Sequence, residues 1–232
     1  MPEKRLSYSS GGRSITVDFF PAGRGVRRPA VIMLHGADGL SWNQQYPAGA
    51  RAIAAAGYPV FLVHYLDRTA ERRASFATVF QNFPTWMETV RDAIAFAATQ
   101  PGVDPNRIGL VGISLGAALS LAVAGTEPRV RALVDYFGPL PQGAVSRATR
   151  LPPTLILHGA ADRIVPVANA YAIEDLLKAQ GVSHEIKVYP GQGHGFSGAE
   201  QRDATARVLA FLHRHLDADR AAGGDAFRPA GG

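Results

Sequence analysis

Five short, mainly apolar runs constrain the fold of this chain more than any other feature of its sequence. They are separated by stretches of helical character, and they lie at 29–34, 60–63, 107–111, 132–134 and 154–157. Strands that are apolar along their length are buried on both faces, which is typical of parallel sheets covered by helices. Because strand and helix alternate from residue 30 to 216, the sequence predicts an α/β fold with a mostly parallel central sheet flanked by helices.

Further elements complete this pattern at both ends of the chain. Two strands are predicted at 5–10 and 13–20, and another at 184–189. Helices are predicted at 43–56, 84–99, 114–125 and 167–180, and a last one after a capping-box pattern, Ser197 to Glu200. We expect residues 1–216 to form a single domain and residues 217–232, which lack periodicity, to form a flexible tail.

Composition and charge exclude several functional classes. The chain has no cysteine, so disulfides, thiolate metal sites and a cysteine nucleophile are excluded. Its 24 basic and 19 acidic residues are scattered, which favours a solvated surface over a nucleic-acid patch. The longest apolar segment, 52–63, is shorter than the roughly 20 residues of a membrane span. We therefore expect a cytoplasmic protein with no nucleic-acid or membrane partner, and the oligomeric state stays open.

The segment Gly112-Ile-Ser114-Leu-Gly116 matches the pattern G-x-S-x-G between an apolar strand and a helix of small residues. In this setting a sharp turn strains the serine backbone and lifts its hydroxyl clear of the sheet, while the glycines avoid collisions with neighbouring elements. The start of the helix also directs unpaired amides toward a bound group. We predict that Ser114 is a nucleophile; the alternative is a serine in an ordinary tight turn.

A serine nucleophile needs a base, and the base needs a third group to orient it. His194 follows the last predicted strand, and the glycines on both sides of it would let its imidazole approach another loop. Asp162 lies in a polar loop after the strand at 154–157, and its rival is Asp135 at the end of the preceding strand. We predict Ser114, Asp162 and His194 as the catalytic residues, which follow the order serine, acid, histidine.

Two backbone amides are expected to stabilise the oxyanion. One is the amide of Leu115, and the other comes from the loop after Leu34, where Gly36 or Ala37 is the candidate and Ala37 is our choice. Such a site needs no metal ion and no organic cofactor. Tyr65 and Phe196 flank the predicted loops, and we expect them to form walls of the substrate site.

Three segments together resemble the dienelactone hydrolase family, a branch of the α/β-hydrolase superfamily. They are VDPNRIGLVGISLGA at 103–117, LHGAAD at 157–162 and GHGF at 193–196. The resemblance extends from about residue 15 to 216. It implies an α/β-hydrolase fold of about eight strands with a minimal cap or none, and a triad at Ser114, Asp162 and His194.

One feature departs from the family pattern. Dienelactone hydrolases proper use a cysteine nucleophile that an acidic residue holds at rest, whereas this chain has Ser114 and carries Gly36 at the place of the acidic residue. The sequence therefore favours a serine hydrolase that cleaves small or accessible carboxylic esters or lactones through an acyl-enzyme intermediate. Two alternatives stay open: a peptidase of prolyl-oligopeptidase type, which would normally need an additional domain or an oligomer to gate peptides, and a catalytically silent scaffold that binds a small molecule or a partner.

Overall fold

A computed structural model describes residues 4–23, 27–40, 45–146 and 148–217, and within them eight strands form one sheet. The order of the strands across the sheet is β1-β2-β4-β3-β5-β6-β7-β8. Their bounds are β1 Lys4–Ser10, β2 Arg13–Phe20, β3 Arg28–Leu34, β4 Val60–Val63, β5 Val103–Ile113, β6 Val130–Tyr136, β7 Thr154–Gly159 and β8 His184–Tyr189. Only the pairs β1–β2 and β2–β4 are antiparallel. The predicted mostly parallel sheet of about eight strands is confirmed.

Five α-helices of the described chain cover the two faces of this sheet. They are α1 Gln45–Ala55, α2 Phe76–Ala98, α3 Leu115–Ala124, α4 Ala168–Ala179 and α5 Gly198–Leu216, and a 3-10 helix, Tyr65–Thr69, precedes α2. One apolar cluster lies between the sheet and α2, α3 and α4, and a second lies between the sheet and α1 and α5. Strands β3, β4 and β7 are buried along almost their whole length, as their unbroken apolar sequences predict.

Helix α2 begins eight residues before the predicted start at residue 84. Its N-cap is Ser75, whose hydroxyl accepts a hydrogen bond from the Thr78 amide while the Thr78 hydroxyl accepts one from the Ser75 amide. This reciprocal cap supplies the start signal that the prediction overlooked. Pro84 lies inside the helix on its exposed side, where water can satisfy the backbone carbonyl that proline leaves without a donor.

The capping box predicted at Ser197 is wrong, although α5 does begin at the next residue. The Ser197 side chain makes no capping hydrogen bond, and the Ser197 amide donates instead to the Gln192 side chain at 3.3 Å. The first turn of α5 is therefore anchored to the loop after β8 rather than to Glu200. Of the predicted flexible tail, only Asp217 is described: it accepts a hydrogen bond from the Tyr58 hydroxyl at 2.6 Å, and residues 218–232 lie outside the described residues.

The connection between β6 and β7 contains only bends, turns and one isolated bridge in its described residues, which omit position 147. No helix lies in these described residues, which agrees with the expectation of a minimal cap or none. The loops that follow β3, β5, β7 and β8 all begin at the same edge of the sheet, because these strands run parallel. That edge is where ligands bind in open α/β sheets.

Candidate active site

Ser114 occupies a strained turn between β5 and α3. Its backbone has φ 53° and ψ −116°, a conformation that costs energy for a residue with a side chain. The flanking glycines are required by space: a Cβ at Gly112 would lie 2.4 Å from the Ala117 Cα, and a Cβ at Gly116 would lie 2.4 Å from the Leu34 carbonyl oxygen. The sharp strand-to-helix turn predicted for this segment is therefore present, with the helix amides behind the serine.

The side chains of Ser114, His194 and Asp162 form one continuous hydrogen-bonded chain. The distance from His194 Nε2 to Ser114 Oγ is 2.8 Å, and the distance from His194 Nδ1 to Asp162 Oδ2 is 2.7 Å. A carboxylate can only accept, so Nδ1 carries the proton and Nε2 accepts from the serine hydroxyl. The structure thus brings the three predicted residues together in the arrangement of a nucleophile, a base and its orienting acid. Their catalytic roles stay a prediction.

Asp162 is held rigidly behind the histidine. Its side chain is fully buried, and its Oδ1 accepts hydrogen bonds from the amides of Ile164 at 2.8 Å and Val165 at 2.9 Å. These two amides leave Oδ2 to face His194. The neighbouring His158 donates from Nε2 to the Val165 carbonyl at 2.8 Å, and burial lowers its pKa, which disfavours a second positive charge beside the carboxylate.

The loops that carry Asp162 and His194 are tied to each other by their backbones. The Ala161 amide donates to the Gln192 carbonyl at 2.9 Å. The loops approach so closely that a Cβ at Gly159 would lie 2.3 Å from the Gly193 carbonyl oxygen. Gly195, with φ 143°, adopts a conformation that favours glycine directly after the histidine. The close approach of the two loops is therefore made possible by Gly159, whereas a Cβ at Gly193 would lie 3.9 Å from the Ala161 carbonyl oxygen and one at Gly195 would meet nothing within 4 Å.

The loop after β3 supplies the second candidate oxyanion donor. The Gly36 amide donates to the Tyr46 hydroxyl at 3.0 Å and is therefore occupied, whereas the Ala37 amide has no acceptor among the residues that the structure describes. Across from it, Leu115 is the first residue of α3, where helix amides have no partner within the helix. Between Gly36 and Ala37, which the sequence left as candidates, the hydrogen bonding favours Ala37.

Tyr65 does not form a wall of the site, and that prediction is wrong. Its side chain is fully buried in the cluster under α2 and stacks on the His35 ring with the centroids 4.3 Å apart. Its hydroxyl donates to the His35 carbonyl at 2.9 Å. The chain turns into a 3-10 helix at this residue, which directs the ring inward rather than toward the open edge. Tyr65 therefore supports the loop after β3 from the side of the hydrophobic core.

A cavity of about 380 Å³ opens beside the Ser114 hydroxyl. Phe196, the other predicted wall residue, lines this cavity, as do Tyr136 and Phe137. The Phe137 backbone has φ 42°, and its ring packs on the His194 imidazole with the centroids 4.6 Å apart. Ile164 also lines the cavity with 69% of its surface exposed. The site therefore has an aromatic wall against the histidine and an apolar side chain at its mouth.

Asp135, the rival acid, makes different contacts. It is fully buried, its Oδ1 accepts a hydrogen bond from the Gly138 amide at 2.8 Å, and its Oδ2 has no partner among the described residues. Burial raises its pKa to about 7. The hydrogen bonds therefore favour Asp162 over Asp135 as the partner of His194, and Asp135 instead holds the turn that carries Phe137.

The sequence reasoning missed Tyr46 and the role of Asp38. The Tyr46 hydroxyl donates to Asp38 Oδ1 at 2.6 Å, and both residues line the cavity. Asp38 lies in the glycine-rich loop already assigned to the oxyanion, so its position was a usable signal. Tyr46 on α1 had no motif to mark it.

Within the described residues, no cluster of three or more His, Asp or Glu side chains could hold a metal ion. No helix of that part of the chain is long and apolar enough to cross a membrane.

Comparison with known proteins gives a match to a family model and to curated relatives. A model of the dienelactone hydrolase family matches residues 17–226. The chain is 32% identical over 128 residues to acyl-protein thioesterase 1 of Eremothecium gossypii, a match that covers 52% of this chain and 53% of that protein. The chain spans about half the length of the curated relatives that it matches.

Solved structures give a longer match at lower identity. A dienelactone hydrolase of Anabaena variabilis has a TM-score of 0.74 at 18% identity, covering 93% of this chain and 98% of its own. A dienelactone hydrolase-like promiscuous phosphotriesterase from metagenomic libraries has a TM-score of 0.80 at 17% identity, with coverage of 93% and 98%. At such identities the likeness concerns the fold alone, and it confirms the predicted α/β-hydrolase fold.

Proposed function

Since the chain belongs to the dienelactone hydrolase family, we propose that it is a serine hydrolase that cleaves carboxylic esters or lactones through an acyl-enzyme intermediate. The observation that carries this proposal is the unbroken contact from Asp162 through His194 to Ser114, with distances of 2.7 and 2.8 Å, at the wall of a 380 Å³ cavity. A cavity of this size accommodates a small organic substrate.

The first half of the reaction forms the acyl-enzyme. Ser114 Oγ attacks the ester carbonyl carbon while its proton passes to His194 Nε2. Asp162 keeps the imidazole in the tautomer that can accept this proton and stabilises the resulting cation. The amides of Leu115 and Ala37 donate to the oxyanion, and each such donor is typically worth about 3–4 kcal/mol in the transition state. His194 then gives its proton to the leaving alkoxide, and the alcohol departs.

The second half releases the acid by the same path. His194 takes a proton from water, the hydroxide oxygen attacks the acyl carbonyl, and the collapse of the tetrahedral intermediate returns the proton to Ser114 Oγ. For a lactone substrate the alcohol stays attached to the acyl group, so a single hydroxy acid leaves at this stage.

The glycine at position 36, where dienelactone hydrolases proper carry an acidic residue, favours a general ester as the substrate over a dienelactone. A Cβ at this position would lie 3.5 Å from the Ser114 Cβ, so an acidic side chain here would reach the serine. With glycine, position 36 itself places no carboxylate beside Ser114 Oγ, the Asp38 carboxylate of the same loop accepts a hydrogen bond from the Tyr46 hydroxyl, and the serine hydroxyl stays paired with His194. An acidic group that restrains a nucleophile at rest is therefore absent at this position.

The direct test is hydrolysis of short-chain aryl esters, lactones and peptide amides by wild type and by Ser114→Ala. The proposal expects turnover of esters or lactones by wild type and a loss of at least about 10³-fold in Ser114→Ala. Equal rates in the two proteins would remove Ser114 from the mechanism. A folded wild type that cleaves amides and neglects esters would favour the peptidase alternative, and one that cleaves nothing would favour a silent scaffold.

A further inference from the structure

The cavity beside Ser114 continues as a groove between α1 and α5. Its two sides are stripes of residues at helical spacing, and its floor comes from the central strands β3 and β5. The α1 stripe is Gln45, Gly49 and Ile53; the α5 stripe is Gln201, Thr205 and Leu209; the floor includes Met33 and Val111. Ser114 lines the same cavity, so the groove and the nucleophile share one continuous space.

The interior of this groove is apolar. Met33, Ile53 and Val111 are each at most 5% exposed, and Val208 adds a further buried aliphatic wall. Of the polar residues along it, the Thr205 hydroxyl donates to the Gln201 carbonyl at 2.9 Å, within the helix itself. A group bound against these buried aliphatic side chains would therefore be selected by burial of hydrocarbon.

Gly49 is unusual because nothing in the backbone requires glycine there. It lies inside α1 and is not one of the described glycines with positive φ, and an added Cβ would lie 3.3 Å from the Met33 Cε, so this buried side chain would have to shift slightly. Glycine in a helix interior destabilises the helix relative to alanine. The residue therefore lowers helix stability and leaves the α1 side of the groove without a side chain where Met33 packs.

We infer that the groove between α1 and α5 binds an unbranched alkyl chain of the ester, and that the missing side chain of Gly49 sets how long that chain can be. This inference rests on the proposed function, since it is Ser114 that the groove adjoins. The alkyl chain belongs either to the acid or to the alcohol. It is the same kind of hydrocarbon in both cases, on opposite sides of the ester bond.

Two ester series separate these sources. One series varies the acyl chain from acetate to octanoate on a constant aryl alcohol; the other varies the alcohol from ethanol to octanol on a constant acetyl group. In wild type we expect kcat/KM to rise with chain length in one series and to stay flat in the other. The rising series identifies which side of the ester occupies the groove.

Gly49→Leu and Thr205→Leu fill the groove from its two sides, so one variant remains informative if the other does not fold. Each methylene that loses its contact should cost about fourfold in kcat/KM. Loss of three should lower the ratio of octanoyl to acetyl ester turnover, or of octyl to ethyl ester turnover, by about 60-fold. The matched control is Ala48→Leu, which places the same side chain at an exposed position of α1 and should follow the wild-type profile.

The outcomes distinguish this inference from the function on which it rests. Gly49→Leu and Thr205→Leu proteins that keep the wild-type chain-length profile would overturn the groove assignment while leaving ester hydrolysis intact. A wild type whose kcat/KM does not change with chain length in either series would also overturn the groove assignment while leaving ester hydrolysis intact. A folded wild type that hydrolyses no member of either series would overturn both.

Discussion

The Gly36 amide donates a hydrogen bond to the Tyr46 hydroxyl 3.0 Å away, which ties the loop after β3 to helix α1. The same hydroxyl donates to Asp38 Oδ1 at 2.6 Å, so one tyrosine joins two points of the loop on either side of Ala37. An amide that must meet a developing oxyanion is useful only if it is held in place before the reaction. In the proposed mechanism, Tyr46 performs that positioning for the Ala37 amide.

Replacing Tyr46 with phenylalanine should therefore impair catalysis more than binding. The ring still fills its space, but the loop loses its shared hydrogen-bond partner. We expect kcat to fall by about tenfold with little change in KM. We also expect the free energy of unfolding to fall by about 1–2 kcal/mol. Steady-state kinetics and denaturant unfolding measure the two effects. The matched control is Tyr171→Phe, on the exposed face of α4, and a Tyr46→Phe enzyme indistinguishable from it would contradict this role.

The two buried aspartates should respond differently to the same isosteric change. Asp162→Asn keeps an oxygen for the amides of Ile164 and Val165 but offers His194 a group that no longer fixes the reactive tautomer, so kcat should fall by about 10⁴-fold. Asp135→Asn can still accept from the Gly138 amide and should lower kcat by no more than about tenfold. Parallel kinetics on the two variants decide which acid serves the histidine, and the reverse ranking would assign the role to Asp135.

Asp135 should also make stability depend on pH. Because burial raises its pKa in the folded protein to about 7, the folded protein keeps this proton between about pH 4 and pH 7, where the unfolded chain has released it. The contribution of this residue to stability is therefore lost as pH rises through that interval. Relative to Asp135→Asn, wild type should lose up to about 4 kcal/mol of unfolding free energy between pH 4 and pH 8.

Urea unfolding of both proteins at several pH values measures that difference, and comparing the two cancels the titration of other groups. A constant difference across the range would show that the carboxyl of Asp135 titrates normally.

Local sequence patterns were sufficient to predict the fold and to place Ser114, Asp162 and His194 at one edge of the sheet. A strand that is apolar throughout, a turn between glycines and a helix of small residues are each encoded within a few neighbouring positions, and parallel topology then brings the loops of Asp162 and His194 to the edge where Ser114 lies. The start of α2 was missed, although the Ser75 cap marks it and proline is tolerated at an exposed helix position such as that of Pro84.

Features that depend on packing between distant elements could not be predicted in the same way. Tyr65 follows a strand, as a wall residue would, but a 3-10 helix turns it into the core. The bond from Gly36 to Tyr46 and the groove beside Gly49 each join a loop or strand to a helix face, and no short pattern marks such a pair. Their detection required the relative placement of α1, α5 and the sheet.

The central claim, that His194 activates Ser114 as a nucleophile, is tested most directly by covalent labelling with a fluorophosphonate and mapping of the modified residue. In the folded wild type we expect a single adduct on Ser114 Oγ, which forms far more slowly in His194→Ala and is absent from Ser114→Ala. A folded wild type that stays unlabelled, or that carries the adduct on another residue, would contradict the account.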